Sequence, residues 1–523
     1  MCRVIANPFV YEINTWPWLH DVGERCGRAV GLGAVPGEEW DAIAATGCDA
    51  VWLMGVWRRS PAGVAIALSD NALVDTFGEA LPDYTSEDVV GSPYAVREYV
   101  VDDHLGGPAG LARAREELAQ RGLSLILDFV PNHVAADHPW VAAHPEVFIH
   151  GTADELQQDP LSYLEVDGQV LANGKDPYFA AWTDVVQLNA FSPLLRTAAI
   201  ETLLQIASQC DGVRCDMAML MMNDVFARTW GDRAGPRPRN EYWPVVIRAV
   251  RREHPEFVFV AEAYWDLEAG LQDQGFDYCY DKGLYDKLVA HDGADPVRGL
   301  LADDRRYQRG LIRFLENHDE PRAAAVFDDD QQRVAAVAAF TTLGARLIHD
   351  GQLQGRTTRL PVQLGRYPHQ ADDGELADFY RRLLAVVHDN TFRTGRWELC
   401  DTRGWPDNPT SQDLIAWTWT GSTGDEAKRS STYSGDEAKR SSTYSSRWLV
   451  VVNLSAETAS AAVSIDWDDL RGREFELVDD TRDLRFIRKG DDLRRGMFVE
   501  LGPWLWHLLR IDPIDSASSE EHA

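Results

Sequence analysis

The chain has 523 residues, 51 Lys and Arg against 83 Asp and Glu, and a formal net charge of −32. A field of that sign repels nucleic acid, anionic lipid and polyphosphates and leaves a neutral ligand unpenalised. At 45% hydrophobic and 26% charged residues the composition is that of an ordinary globular protein with enough apolar side chains for a sizeable core. No apolar run reaches the ~20 residues that span a bilayer. The opening Met1-Cys2-Arg3-Val4-Ile5 runs directly into a strand pattern, unlike a signal peptide. Seven cysteines form no Cys-x-x-Cys pair, so neither a disulfide framework nor a zinc site is indicated. These features predict a cytoplasmic protein whose partner is a small molecule or an oligosaccharide, with no nucleic-acid or membrane partner. They leave the oligomeric state open.

Short apolar runs alternate with amphipathic stretches through about residue 390. Strands are predicted at Val4–Ile13, Ala50–Met54, Leu123–Val130, Gly212–Cys215, Phe257–Ala261, Phe276–Cys279, Leu311–Leu315 and Arg346–Ile348. Most are apolar throughout, as strands buried on both faces of a parallel sheet should be. Helices are predicted at Gly107–Arg121, Pro193–Gln209, Tyr242–Glu253, Gln331–Thr342 and Glu375–His388. Eight such repeats fit a closed (β/α)8 TIM barrel better than an open doubly wound sheet.

Two connections are too long for plain loops. One is Arg58 to Val90; the other, after the third strand, is read as a small inserted domain over residues 135–190. The barrel would then comprise 1–134 and 191–390. Beyond it, alternating polar and apolar residues at Leu414–Trp419, Trp448–Val452, Ala461–Ile465, Glu474–Val478 and Trp504–Ile511 suggest a C-terminal antiparallel β-sandwich over 391–515. Within it Gly424–Ser434, GDEAKRSSTYS, is repeated as Gly435–Ser445. Residues 422–446 are too polar to offset their ordering entropy, so a mobile loop is expected there and a disordered tail at 516–523.

Four stretches put polar groups at predicted C-terminal strand ends, where barrel enzymes keep their active sites: Asp128-Phe129-Val130-Pro131-Asn132-His133, Gly212-Val213-Arg214-Cys215-Asp216, Val260-Ala261-Glu262-Ala263-Tyr264-Trp265 and Glu316-Asn317-His318-Asp319-Glu320-Pro321-Arg322. Arg214 and Asp216, two apart on a strand, point to one face, and the arginine would hold the carboxylate ionised and aimed, as a nucleophile requires. Partial burial would raise the pKa of Glu262 and suit it to donate a proton. Asp319, beside His318, supplies a third carboxylate for charge that develops in the transition state. This is the logic of retaining glycoside hydrolysis. A single strand-end acid is ordinarily a cap or a surface charge, and an Arg-x-Asp pair ordinarily a structural ion pair. Four such sites at four strand ends in consistent order are what argue otherwise.

The four stretches, with Gly91-Ser92-Pro93-Tyr94-Ala95-Val96-Arg97-Glu98-Tyr99, resemble the α-amylase family of retaining glycosidases and transglycosidases over roughly residues 4 to 510. The resemblance implies Asp216 as nucleophile, Glu262 as general acid/base and Asp319 as transition-state stabiliser. It implies Arg214, His133, His318 and Tyr94 around one sugar ring, Tyr94 stacking beneath it, with Asp128 supporting Arg214 and the barrel rim. Tyr264 and Trp265 are candidates for the leaving-group side, and Met217 for an apolar acceptor pocket; Trp16, Trp18 and Trp57 are further stacking candidates. No cofactor is required. Ca2+ is an option, because Asn132 stands where many relatives have a calcium ligand, with Asp154, Asp159 or Asp184 as further oxygen donors.

The sequence also departs from that pattern. Ala95 replaces the usual acid after the tyrosine. Met217-Ala218-Met219-Leu220-Met221-Met222 replaces the Lys-His pair of many endo-acting amylases, and Ile348-His349-Asp350-Gly351-Gln352 replaces a commoner Gly-Asp-Glu ending. The expected activity is cleavage of α-glucosidic bonds in short α-glucans or α-glucosides. The alternatives are a transglycosidase of glucanotransferase or glucoside-isomerase type on the same substrates, a phosphate-using variant, and a non-catalytic sugar-binding barrel, the last disfavoured by retention of all three acids.

Overall fold

The computed structural model describes residues 6–421 and 446–514. The duplicated stretch, the expected mobile loop and the expected disordered tail lie outside the described residues, apart from Ser446.

Eight parallel strands close into a barrel. They are β1 (Phe9–Asn14), β2 (Ala50–Met54), β3 (Ser124–Phe129), β4 (Gly212–Cys215), β5 (Val258–Ala261), β6 (Tyr278–Tyr280), β7 (Leu311–Arg313) and β8 (Ala345–His349). All eight correspond to predicted strands, with ends shifted by a few residues. Closure comes from β1 pairing with both β2 and β8, Tyr11 lying opposite Val51 on one side and Ile348 on the other. The apolar runs satisfy two surfaces at once. Val10, Trp52, Ile126, Val260, Tyr278, Ile312 and Leu347 fill the interior. Val51, Leu53, Leu125, Leu127, Val213 and Phe259 pack outwards against the helices. Alternate side chains thus face two different apolar layers, which is why no polar alternation marks these strands.

The helices Gly107–Gln120, Pro193–Ala207, Tyr242–Glu253, Asp329–Thr341 and Gly374–Val387 match the predicted stretches closely. The Arg58–Val90 connection is more ordered than its sequence suggested. It pairs Trp57–Arg59 with Val96–Val101 and forms helices Pro61–Ser69 and Asn71–Ala80. These helices close an apolar cluster in which Phe77 and Leu81 meet Leu360, Leu364 and Tyr367 from beyond β8.

Between β3 and β4 lies a four-stranded antiparallel sheet in the order His133–Ala135, Trp182–Gln187, Gln169–Gly174, Tyr163–Val166. Its first strand begins four residues beyond Phe129, so the barrel rim and the insert share a backbone segment. Ala95, where the resemblance leads one to expect an acid, packs with Ala135, Val185 and Trp182 in an apolar seam against this sheet.

The C-terminal region forms a six-stranded and a three-stranded sheet around a common core that includes Leu414, Leu449, Ala461, Val463, Phe475 and Val499. The other face of the larger sheet meets the barrel: the indole N–H groups of Trp417 and Trp419 both donate to the Thr341 carbonyl, at 2.9 and 2.6 Å. That explains why Leu414–Thr420 and Arg447–Asn453 are buried on both faces.

Candidate active site

The site forms at the C-terminal ends of the strands. Gly212 begins β4 because a side chain does not fit there: a Cβ would meet the Val258 carbonyl oxygen at 2.8 Å. With β4 and β5 so close, Arg214 lies opposite Asp128 and Val260, and Cys215 opposite Ala261. The next residue on each strand is an acid, Asp216 and Glu262. Arg214 is buried and faces inwards, its guanidinium over the rings of Trp52, Tyr94 and Tyr280 at 5.1 to 5.7 Å. Its Nη1 donates to Asp216 Oδ1 at 2.8 Å, and its Nη2 lies 2.8 Å from Glu262 Oε2. One planar cation therefore holds two buried carboxyl groups side by side.

After Asp216 the chain turns sharply. Met217 adopts a left-handed conformation, φ 40°, which is strained for a residue with a Cβ. The turn aims the Met217 N–H at Glu262 Oε2, 2.6 Å away, and the Ala218 N–H at the Glu262 carbonyl. Glu262 Oε2 thus faces only donors. Oε1 faces the Tyr264 hydroxyl at 2.9 Å, a group that can also accept, so a proton on Glu262 belongs on Oε1.

The pKa of Asp216 is raised. Burial and then the nearby Glu262 charge push it up to about 7, against the opposing pull of Arg214. Because the two carboxyls lie so close, the value belongs to their interaction rather than to Asp216 in isolation.

Two histidines flank the acids in different states. Burial lowers the pKa of His133 to about 3, so its ring is neutral. Its Nδ1 faces the Asn132 side-chain amide N at 3.3 Å, a donor, which leaves Nε2 carrying the hydrogen and pointing to Asp216 Oδ2, 4.0 Å away. His318 is the opposite case. Burial opposes its charge, but Asp319 and Glu12 raise its pKa to about 10. Its Nε2 lies 2.9 Å from Asp319 Oδ2 and 2.6 Å from Tyr94 Oη. Asp319 is held below the usual carboxylate range: burial raises it, but the His318 charge and hydrogen bond and the Arg214 charge outweigh that. Its side chain is 40% exposed, at the pocket mouth.

Asp216, Glu262, Asp319, Arg214, His133, His318, Tyr94, Met217 and Tyr264 are thus brought together. Trp265 sits at the edge, half-buried, with its ring centroid 4.7 Å from that of Tyr178 of the insert. Asp128 lies behind the site. It is fully buried, and its two oxygens accept from Trp52 Nε1 at 3.0 Å and Gly55 N–H at 2.7 Å, so it braces β2 at the barrel rim. Trp18 and Trp57 are core residues, 6% and 1% exposed. Met219 and Met221 are buried as well, and Met217, half-buried, keeps a place at the pocket.

Asn132 does not fit a calcium cage. It is 1% exposed, and its Oδ1 accepts from Gln187 Nε2 at 2.9 Å. Among the described residues the one trio of His, Asp and Glu side chains with ligand atoms within 4.8 Å of one another is His20, Asp21 and Glu24. These belong to helix Thr15–Cys26, and none of Asn132, Asp154, Asp159 and Asp184 is among them.

Glu12, Trp52 and Tyr280 escaped the sequence reading. Trp52 and Tyr280 merged into apolar runs. Glu12 left a signal, a lone acid within the apolar strand Phe9-Val10-Tyr11-Glu12-Ile13.

Fold and site together define a (β/α)8 barrel with a buried acid pair and a third acid at its C-terminal rim. No family model matches the chain. It is 24% identical over 370 residues to an α-amylase of Haloarcula japonica, covering 67% of this chain and 44% of that protein. It is 21% identical over 331 residues to an intracellular maltogenic amylase of Bacillus subtilis, covering 58% and 51%. The chain thus spans about half the length of these relatives. Among solved structures, a maltogenic α-amylase of Thermotoga neapolitana superposes with a TM-score of 0.64 at 18% identity, over 97% of this chain and 99% of that one. The chain is thus similar in sequence to enzymes of the α-amylase family and shares the fold of a solved one.

Proposed function

We propose that the protein is a retaining α-glycosidase that cleaves α-glucosidic bonds of short α-glucans or α-glucosides through a covalent glycosyl-enzyme. The observation that carries this is the bridge of Asp216 and Glu262 across the single guanidinium of Arg214. It suits the short carboxyl separation, ~5–5.5 Å, that double displacement needs.

In the first step Asp216 Oδ2 attacks the anomeric carbon while the bond to the leaving oxygen breaks. That oxygen takes the bonding electron pair and receives the proton of Glu262. In the second, Glu262, now a carboxylate, takes a proton from water; the water oxygen bonds to the anomeric carbon and Asp216 leaves as a carboxylate. Asp319, anionic beside His318, faces the positive charge that grows on the sugar ring. Tyr94 lies beneath that ring, and Arg214, His133 and His318 surround it. No step requires a metal ion. In this reading residues 1–134 and 191–390 are the catalytic barrel, 135–190 the wall of its mouth and 391–515 the accessory sandwich.

Transfer to a sugar in place of water is the second reading. It is favoured by aromatic contacts that bring the insert over the site, Trp182 against His133 at 5.1 Å and Tyr178 against Trp265 at 4.7 Å, which restrict water access. Incubation with maltose, maltotriose and longer oligomers tests both readings. Glucose and shortened chains mean hydrolysis, and products longer than the substrate mean transfer. Turnover of no α-glucoside, under conditions where the protein is folded, overturns the proposal.

A further inference from the structure

Glu12 lies at 0% exposure on β1, in a strand otherwise apolar up to Asn14. Burying a carboxylate costs several kcal/mol unless it is paired, so its presence needs a reason. Its Oε1 is 2.5 Å from His318 Nδ1, across 306 residues of chain. The other ring nitrogen of His318, Nε2, is 2.9 Å from Asp319 Oδ2. Ionised carboxylates only accept hydrogen bonds. A neutral imidazole would leave one ring lone pair facing a carboxylate lone pair, and only the doubly protonated ring satisfies both sides. Tyr94 Oη, 2.6 Å from Nε2, then serves as a second acceptor for that hydrogen.

We infer that Glu12 is a positioning residue of the site: from behind the pocket it fixes His318 as an imidazolium, which in turn aims Asp319 as an anion and anchors the Tyr94 hydroxyl. The inference rests on the catalytic reading of Asp319 given above. Glu12 itself touches no substrate. The groups facing His318 are Glu12 from β1, Asp319 on its own segment, Tyr94 from the loop before Val96–Val101, Asp128 from β3 and the edge of the Trp52 ring from β2. Arg214 of β4 stands behind Tyr94 and acts on Asp319. His349, opposite Glu12 in the β1–β8 register, is the further basic group whose charge acts on Glu12.

The test is the ring titration of His318 by NMR on histidine-labelled protein, the resonance being assigned by its loss in His318→Gln. In the unsubstituted protein both ring nitrogens should carry hydrogen up to pH 9; a neutral His318 at pH 7.5 overturns the inference without any variant. In Glu12→Gln the titration should move down by at least one pH unit, and an unmoved titration also overturns it. A kinetic readout accompanies this. The ratio of kcat/KM for Glu12→Gln to that of the parent cancels the ionisation of the acid pair both share. For a shift of one unit it should fall about twofold between pH 7 and pH 9, and further for a larger shift, whereas a ratio that is low but flat would mean a merely structural role and overturn the inference. If the parent protein turned over no α-glucoside, the catalytic reading would fail while the NMR arm still decided the role of Glu12.

Discussion

Asp216 and Glu262 stand one residue beyond the register pair Cys215 and Ala261 on neighbouring strands, and each contacts a different terminal nitrogen of Arg214, both at 2.8 Å. A shared cation draws the two carboxyl groups together, and burial followed by their mutual repulsion raises the pKa of Asp216.

That repulsion has a pH signature. The active form holds one proton on the pair, so kcat/KM should follow a bell whose alkaline limb falls with a midpoint near the value of about 7 that Asp216 carries. The limb belongs to the pair rather than to either acid alone. A flat profile from pH 6 to 9 would contradict the proposed roles.

The same shift fixes the sign of a stability effect. A carboxyl whose folded pKa exceeds its unfolded value binds its proton more tightly in the native state. Its contribution is therefore present at low pH and is lost as the pH climbs through about 7. Asp216→Asn removes the charge that burial and Glu262 oppose. It should raise the melting temperature by roughly 2 °C or more at pH 8, with a smaller gain at pH 5 and none near pH 4, while abolishing turnover. Melting curves at the three pH values check it.

Glu262→Gln keeps the shape and removes the proton. The loss of kcat/KM should be on the order of 10²–10⁴ on substrates with poor leaving groups and much smaller on activated aryl α-glucosides, which leave without acid assistance. Equal losses on both would show that Glu262 is not the acid. Tyr264→Phe, which strips the 2.9 Å hydrogen bond from Oε1, should cost about tenfold and shift the alkaline limb, because the partner of the catalytic proton is gone.

Arg214→Met leaves two buried carboxyl groups without their cation. Removing one partner of a buried ion pair costs about 3–5 kcal/mol, so denaturant midpoints at pH 8 should fall markedly. Adding Asp216→Asn should restore part of the loss by removing one of the stranded charges.

Chelation addresses the metal. With Asn132 committed to Gln187, dialysis against a calcium chelator should leave the melting temperature within about 1 °C and kcat unchanged. A fall of several degrees would place a calcium ion elsewhere in the chain.

Much of the fold was legible because its signals are local. An apolar run of four to six residues marks a buried strand wherever its neighbours come to lie, and the acids just after β4 and β5 announce themselves by breaking such runs. Helices Pro61–Ser69 and Asn71–Ala80 were less legible. Their apolar faces answer to Leu360, Leu364 and Tyr367, nearly 300 residues away, and no periodicity within the segment shows that partner.

The sequence by itself determined the eight strands, their order and the three acids, since each is written in a few consecutive residues. Only the tertiary structure decided which polar groups are spent on one another: Asp128 on Trp52 and Gly55, Asn132 on Gln187, His318 between Glu12 and Asp319. The reason is physical. A buried polar atom must find its partner in space, the partners here come from other strands and distant loops, and the charge of an acid or histidine follows from that partner rather than from its own place in the chain.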